Sequence, residues 1–290
     1  MSAQVKTSNG NLPINRLTTA VLNRSRMSPY VSPVGLSRYW QWLQATTPCA
    51  SPMAWCHTTD TYALRSMIET GVLTPRLCKV FDEYLSYFFY GRPALRRAIE
   101  PIVDTGGRAP VVIVMDPGLA TDGVRLFPFD TGAFASGRYN DWMHRAMQLS
   151  DFELASLSDG AQRHVTAHFG TNDRYLRLET RRPTASFVGS FEVQSVVSLL
   201  TDRNTATSDD RRGTLELQVT RQLPFEHPLV RAIVLPEKML RASYVQDFLY
   251  GRGARIQIET YPLMPLRDAR EYQFYLEAIV RGLQEKWGLV

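Results

Sequence analysis

The sequence predicts an α+β fold, a mixed or antiparallel sheet with flanking helices, and three observations lead there. Strand-like runs outnumber helical ones, about six or seven against three to five. The two kinds do not alternate regularly, which disfavours a doubly wound sheet. One run, APVVIVMDP (109–117), is apolar almost throughout and predicts a strand buried on both faces.

The elements follow in chain order. Residues 1 to about 34 are rich in Ser, Thr, Asn and Pro and read as a loosely held arm. SRYWQWLQ (37–44) reads as a short aromatic helix, so residues 1–48 form an arm with one helix. The main domain is expected over 49–250. It opens with MAWCHT (53–58), a strand. TDTYALRSMIETG (59–71) reads as a helix, with Asp60 as N-cap, Ala63, Leu64, Met67 and Ile68 on one apolar face, and Gly71 closing it. VLTP (72–75) is a short extended piece. FDEYLSYFFYGRP (81–93) is an aromatic strand stopped by Gly and Pro.

LFPFDTGAF (126–134) reads as loop, and residues 140 to about 170 read mostly as helix, with Trp142, Met143, Ala146 and Met147 on one side. SFEVQSVVSLL (190–200) is ambiguous between strand and helix. TDRNTATSDDRRG (201–213) is a polar surface loop. TLELQV (214–219) alternates and reads as a strand, RAIVLP (231–236) as another, and MLRASYVQDFLYG (239–251) as a helix closed by Gly251. Residues 251–290 are expected to pack on the same domain as a strand, ARIQIETYPL (254–263), and an amphipathic helix. That helix carries Tyr272, Leu276, Ile279, Leu283 and Trp287 on its stripe.

The 290 residues suffice for one elaborated domain with a real core. No apolar run of about 18 residues exists, so no membrane span is expected. The N-terminus carries no signal-peptide pattern, and a cytoplasmic location is the expectation. The net charge of +5 tilts toward an anionic partner such as a nucleotide or nucleic acid. Cys49, Cys56 and Cys78 are too few for a disulfide framework, and their spacing fits no zinc pattern, so no metal is expected. His164 and His168, four apart, read as two partly exposed helix histidines.

No Walker loop, GxGxxG turn, GxSxG elbow or HExxH helix is present. Three settings remain that can carry chemistry. His57 and Thr59, two apart on an extended segment, point to one side and suit a ribose hydroxyl or a carboxamide, or else serve as local caps. Tyr87 and Tyr90 end an aromatic strand and suit ring stacking. Arg92, held between Gly91 and Pro93, suits a phosphate or carboxylate, or is a surface arginine beside a core strand. Glu216 shares a strand face with Thr214 and Gln218, a polar row that is usually the solvated face of an edge strand.

In order and context these pieces resemble the ADP-ribosyltransferases, most closely the DarT-type nucleic-acid enzymes. The resemblance covers roughly residues 53 to 240. It rests on CHTTDTYALRSMIETGVLTP, on YFFYGRPAL, and on DRRGTLELQV followed by RAIVLP. The glutamate is approached by Arg212-Gly213-Thr214-Leu215, unlike the family's Arg-Gln-Ala pattern, and YFFYGRP and FPFDTGAF mark a distinct branch. Thr214 stands where arginine-directed relatives carry a glutamate, so arginine is not the expected acceptor.

The resemblance implies a split sheet and NAD as ADP-ribose donor, with Glu216, Arg92 and His57 as the catalytic set. His57 and Thr59 would hold the adenosine-side ribose or the nicotinamide end. Tyr87 or Tyr90 would stack on nicotinamide, Arg92 would neutralise the pyrophosphate, and Asp130 and Thr131 would wall the donor side. An ionised Glu216 would stabilise the oxocarbenium and deprotonate the nucleophile. Arg203, Arg211, Arg212 and Gln218 would meet a nucleic-acid or protein acceptor. A toxin or anti-phage effector with a neutralising antitoxin would fit. The other readings are an NAD glycohydrolase and a non-catalytic nucleotide- or macromolecule-binding protein on the same scaffold.

Overall fold

The apolar run expected to form a doubly buried strand supplies an inner strand of the main sheet, Pro110–Met115, and all six residues of that strand are buried. The computed structural model describes residues 30–48, 51–95, 107–202, 210–225, 228–251, 255–264 and 269–290. The helices are α1 (Arg38–Leu43), α2 (Thr61–Thr70), α3 (Thr131–Ala135), α4 (Gly160–His168), α5 (Asn172–Leu176), α6 (Phe191–Thr201), α7 (Ser243–Tyr250) and α8 (Ala269–Lys286). The strands are β1 (Trp55–Asp60), β2 (Val72–Leu73), β3 (Arg76–Cys78), β4 (Glu83–Tyr90), β5 (Pro110–Met115), β6 (Arg125–Phe127), β7 (Glu216–Val219), β8 (Leu223–Pro224), β9 (Val230–Pro236) and β10 (Gln257–Tyr261).

The main sheet runs β10-β9-β5-β1-β4-β7-β6, with β3 added on β4 and β2 and β8 as a separate pair. Among the described residues only β10 and β9 pair in parallel, so the sheet is mixed. It is also split. β1 pairs with β5 at all six of its residues, but with β4 only at Trp55 and Cys56. Beyond Cys56 the two strands part, and His57, Thr58 and Thr59 lie along the gap.

Alternation along the central strands feeds two cores. Val112, Val114, Cys56, Ala232 and Val234 pack with Tyr272, Leu276, Val280 and Leu283 of α8. Each Val or Leu side chain among them contributes about 1.5–3 kcal/mol when taken from water. Val111, Ile113, Met115, Trp55 and Tyr90 face the larger core under α1, α2, α4, α6 and α7. α2 forms as expected. Asp60 Oδ1 accepts from Ala63 N at 2.7 Å, and Gly71 adopts φ 75°, the left-handed cap that a side chain disfavours.

Three expectations need correction. Residues 137–159 form turns and a 3₁₀ turn (Leu149–Asp151), and helix appears only in α4. Tyr139, Met143, Leu149, Phe152 and Leu154 are nevertheless buried, so the apolar content misread as a helix face is buried by turns. LFPFDTGAF is not loop: it supplies the end of β6 and the capped helix α3. His164 and His168 are fully buried, not partly exposed, and Tyr39 Oη lies 2.8 Å from His164 Nδ1 and 2.7 Å from His168 Nε2. Among the described residues no helix is long and apolar enough to cross a membrane.

Candidate active site

Glu216 opens β7, between β4 and β6, opposite Phe89 on one side and Phe127 on the other. It is 2% exposed, and Thr214 and Gln218 are fully buried. This corrects the reading of the polar row as a solvated edge. β7 is an inner strand and its polar face is closed over by α3.

That closure defines the site. Glu216 Oε1 accepts from Thr131 Oγ1 at 2.6 Å and from Gln218 Nε2 at 2.9 Å, and Oε2 accepts from Thr131 N at 3.1 Å. The backbone donor is the first of α3, so the carboxylate lies at that helix start. Asp130 caps the same helix through Ala133 N at 2.6 Å, and its Oδ2 accepts from Arg211 Nη1 at 2.6 Å. Gln218 is held in turn by Arg125 Nη1 at 3.1 Å, and Arg125 pairs with Glu83. The Arg125 guanidinium also lies over the rings of Phe81 and Tyr30.

Two influences on Glu216 oppose each other. Burial, followed by the charge of Asp130, pushes its pKa up to about 8, while the bonds from Thr131 and Gln218 pull it down. The first pair wins, so burial and Asp130 hold the carboxyl above its ordinary range even with three donors aimed at it.

Tyr87 lies opposite Gln218 on β4, and burial together with the Glu216 charge holds its phenol far above the usual range. Its carbonyl is 2.9 Å from His57 Nδ1. A carbonyl only accepts, so Nδ1 carries the proton and Nε2 is left as an acceptor. Burial, opposed by the Tyr87 carbonyl and aided by Arg76, holds His57 below its ordinary pKa and therefore neutral. His57 and Thr59 thus stand at the split, one backbone group away from the Tyr87–Glu216 cluster.

The remaining expected residues lie elsewhere. Tyr90 is in the larger core, where its hydroxyl accepts from Met53 N at 2.9 Å and its ring meets Trp55 and Tyr175. Arg92 is 4% exposed and paired with Glu277 of α8, and its buried Nε and Nη1 have no hydrogen-bond partner among the described residues. Arg211, expected to meet acceptor phosphates, is instead buried against Asp130. Arg212 pairs with Asp202 and lies 5.8 Å from the Trp142 ring centre. Trp142 lines a groove of about 970 Å3 between residues 140–151 and α6, with Arg145, Met147 and Phe191 among its walls. Arg203 falls outside the described residues. Among those residues no cluster of three or more His, Cys, Asp or Glu could hold a metal ion.

Sequence reasoning missed the direct Thr131–Glu216 contact, which spans 85 positions, and missed Arg125 altogether. The available signal was Asp130-Thr131-Gly132-Ala133, a capping residue ahead of small helix-compatible ones.

No family model matches the chain, and no curated protein matches it. Solved structures similar to it include two of DarT from Thermus sp. 2.9. The complex with NAD+ is 11% identical and covers 72% of this chain and 96% of its own, with a TM-score of 0.36. The complex with ADP-ribosylated ssDNA is 10% identical and covers 74% and 98%, with a TM-score of 0.37.

Proposed function

We propose that this protein transfers ADP-ribose from NAD to a nucleic-acid or protein acceptor, with Glu216 as the catalytic carboxylate. The observation that carries the reading is Glu216 itself: a buried, donor-lined carboxyl with a raised pKa, beside Tyr87 and adjoining a sheet split fronted by a neutral histidine. Perturbed carboxyls of this kind concentrate at reacting centres.

In this reading the bond between nicotinamide and the ribose carbon breaks, and its electron pair leaves with nicotinamide. Positive charge develops on the ribose, and ionised Glu216 faces it. The acceptor forms the new bond at that carbon and gives its proton to the carboxylate. His57 Nε2 accepts from a ribose hydroxyl, with Thr59 beside it. Tyr87, not the core-bound Tyr90, stacks on nicotinamide. Asp130 and Thr131 wall the donor side by shaping Glu216. Arg92 acts through α8, at a distance from the pyrophosphate. Arg203, Arg212 and the groove at Trp142 offer cations and an aromatic face to the acceptor, and Gln218 orients Glu216. A toxin or anti-phage role with a neutralising partner is compatible with this chemistry.

The test is incubation with labelled NAD and separate pools of DNA, RNA and protein. Wild-type protein labels one pool and releases nicotinamide, whereas Glu216→Gln releases none and still binds NAD. Nicotinamide release with no pool labelled reassigns the protein as a glycohydrolase. No release from wild type leaves a binding module and overturns the proposal.

A further inference from the structure

We propose that Arg125 is a positioning residue of the Glu216 site: by holding Gln218 Oε1 it turns the Gln218 amide so that only a donor faces the Glu216 carboxyl. The contacts run directly from one residue to the next. Arg125 and Gln218 stand opposite each other across β6 and β7, and Arg125 Nη1 donates to Gln218 Oε1 at 3.1 Å. Gln218 Nε2 in turn donates to Glu216 Oε1 at 2.9 Å. A glutamine amide fits either way round, and its partners decide which. A guanidinium carries donors and no acceptor, so with Arg125 in place the oxygen of Gln218 is committed to it. Arg125 is itself held on three sides. Its Nη2 donates to Glu83 Oε2 at 2.5 Å, and its guanidinium lies 4.7 Å from the ring centre of Phe81 and 5.2 Å from that of Tyr30.

The two ends of the amide favour opposite states of Glu216. The nitrogen donates to a carboxylate, and that bond pulls the Glu216 pKa down. The oxygen would accept from the protonated carboxyl and keep the proton there. The other groups around Glu216 do not make this choice. Thr131 N only donates, to Oε2 at 3.1 Å. Tyr87 of β4 presents a neutral phenol, and His57 of β1 is neutral. Asp130, which caps α3 and pairs with Arg211, opposes ionisation whichever way Gln218 turns. The charge of Arg125 is balanced by Glu83 of β4. On the proposed reading of Glu216, the same arrangement also divides its oxygens. Oε1 already accepts from Gln218 and from the Thr131 hydroxyl, whereas Oε2 accepts from Thr131 N alone among the described residues, so Oε2 takes the proton of the acceptor.

The experiment is a 13C-carboxyl NMR titration of the full chain without NAD, with the Glu216 resonance identified by its loss in Glu216→Gln. Arg125→Met frees the amide to turn and raises the Glu216 midpoint by about one pH unit or more. Gln218→Met raises it too, by removing the donor. The double variant Arg125→Met/Gln218→Met titrates within about 0.3 pH unit of Gln218→Met alone, because Arg125 acts through Gln218. If Arg125→Met does not fold, Arg125→Met/Glu83→Gln removes the ion pair whole and gives the same rise. A midpoint unmoved by loss of Arg125 overturns the proposal. So does an Arg125→Met rise that is as large without Gln218 as with it, since the charge alone would then be acting. If wild type turns over no NAD but the midpoints move as stated, the positioning role stands and the enzymatic reading alone fails.

Discussion

Thr131 shows how much one side chain does at Glu216. Its hydroxyl donates to Oε1 and accepts from Gln218 Nε2 at 3.3 Å, so it is the hinge of the local network. Thr131→Val keeps the shape and the backbone donor but removes the hydroxyl. The variant loses about 1–3 kcal/mol of stability, because a buried acceptor loses a donor. A bond that favours the ionised form is lost, so the pH at which Glu216 ionises rises above about 8. In the proposed reaction, activity needs ionised Glu216, so it climbs with pH through that value in wild type and reaches its plateau later in Thr131→Val. Rates of nicotinamide release from pH 6 to 10 check this. Coincident profiles would remove Thr131 from the site. The sequence could not have ranked Thr131 so high. Glu216 is readable as a polar residue on an alternating strand, but its partner lies 85 positions away and no spacing rule links them.

At the scale of elements, legibility followed local physics. α2 announces itself because its cap, apolar face and terminal glycine all fall within one turn of the residues they serve. β5 does so because a strand buried on both faces has nothing polar to place. The stretch 137–159 does not, because its burial comes from tertiary contacts of separate turns with no period to read. The burial of Arg92 was likewise not readable from its local setting. Gly-Arg-Pro suggests a fixed surface turn, yet Gly91 takes φ 68° and turns the chain under α8. There Gln284, fully buried, accepts from Ala54 N at 3.0 Å and donates to Gly91 O at 2.7 Å. α8 is thus stitched by polar bonds to the strand ends that frame the split. Gln284→Leu strands two buried backbone groups and costs about 2–4 kcal/mol, read by urea unfolding. Arg92→Met leaves Glu277 without its cation and lowers stability while the NAD dissociation constant stays within about twofold. A tenfold loss of NAD affinity with unchanged stability would instead return Arg92 to the pyrophosphate.

For the whole molecule, buried titrating groups give stability two opposed slopes with pH. His164 is held well below its ordinary 6.5 by burial and by His168, and His168 falls to about 3 by burial and by Arg181. The unfolded chain therefore binds more protons than the folded one below pH 6.5, and stability falls as the pH drops from there toward 3. Glu216 works in the other direction. Its folded value near 8 exceeds the ordinary 4.5, so the folded state binds the extra proton and stability falls as pH rises through that interval. Glu153, raised by burial to about 7, adds to this slope up to neutrality. Between about pH 7 and 8 Glu216 is left as the main contributor among these groups. Urea unfolding in steps across pH 5 to 9 should give wild type a decline from 7 to 8 that Glu216→Gln lacks, while the acid-side loss becomes steeper in Glu216→Gln, because the opposing Glu216 slope is gone there too. Replacing Tyr39 with Phe tests the other limb. It removes the hydroxyl shared by the two histidines, lowers stability by about 1–3 kcal/mol at neutral pH, and leaves the decline from 7 to 8 in place. A Glu216→Gln protein with the wild-type decline would mean that this carboxyl is not buried in its protonated form, and the raised pKa on which its proposed chemistry depends would go with it.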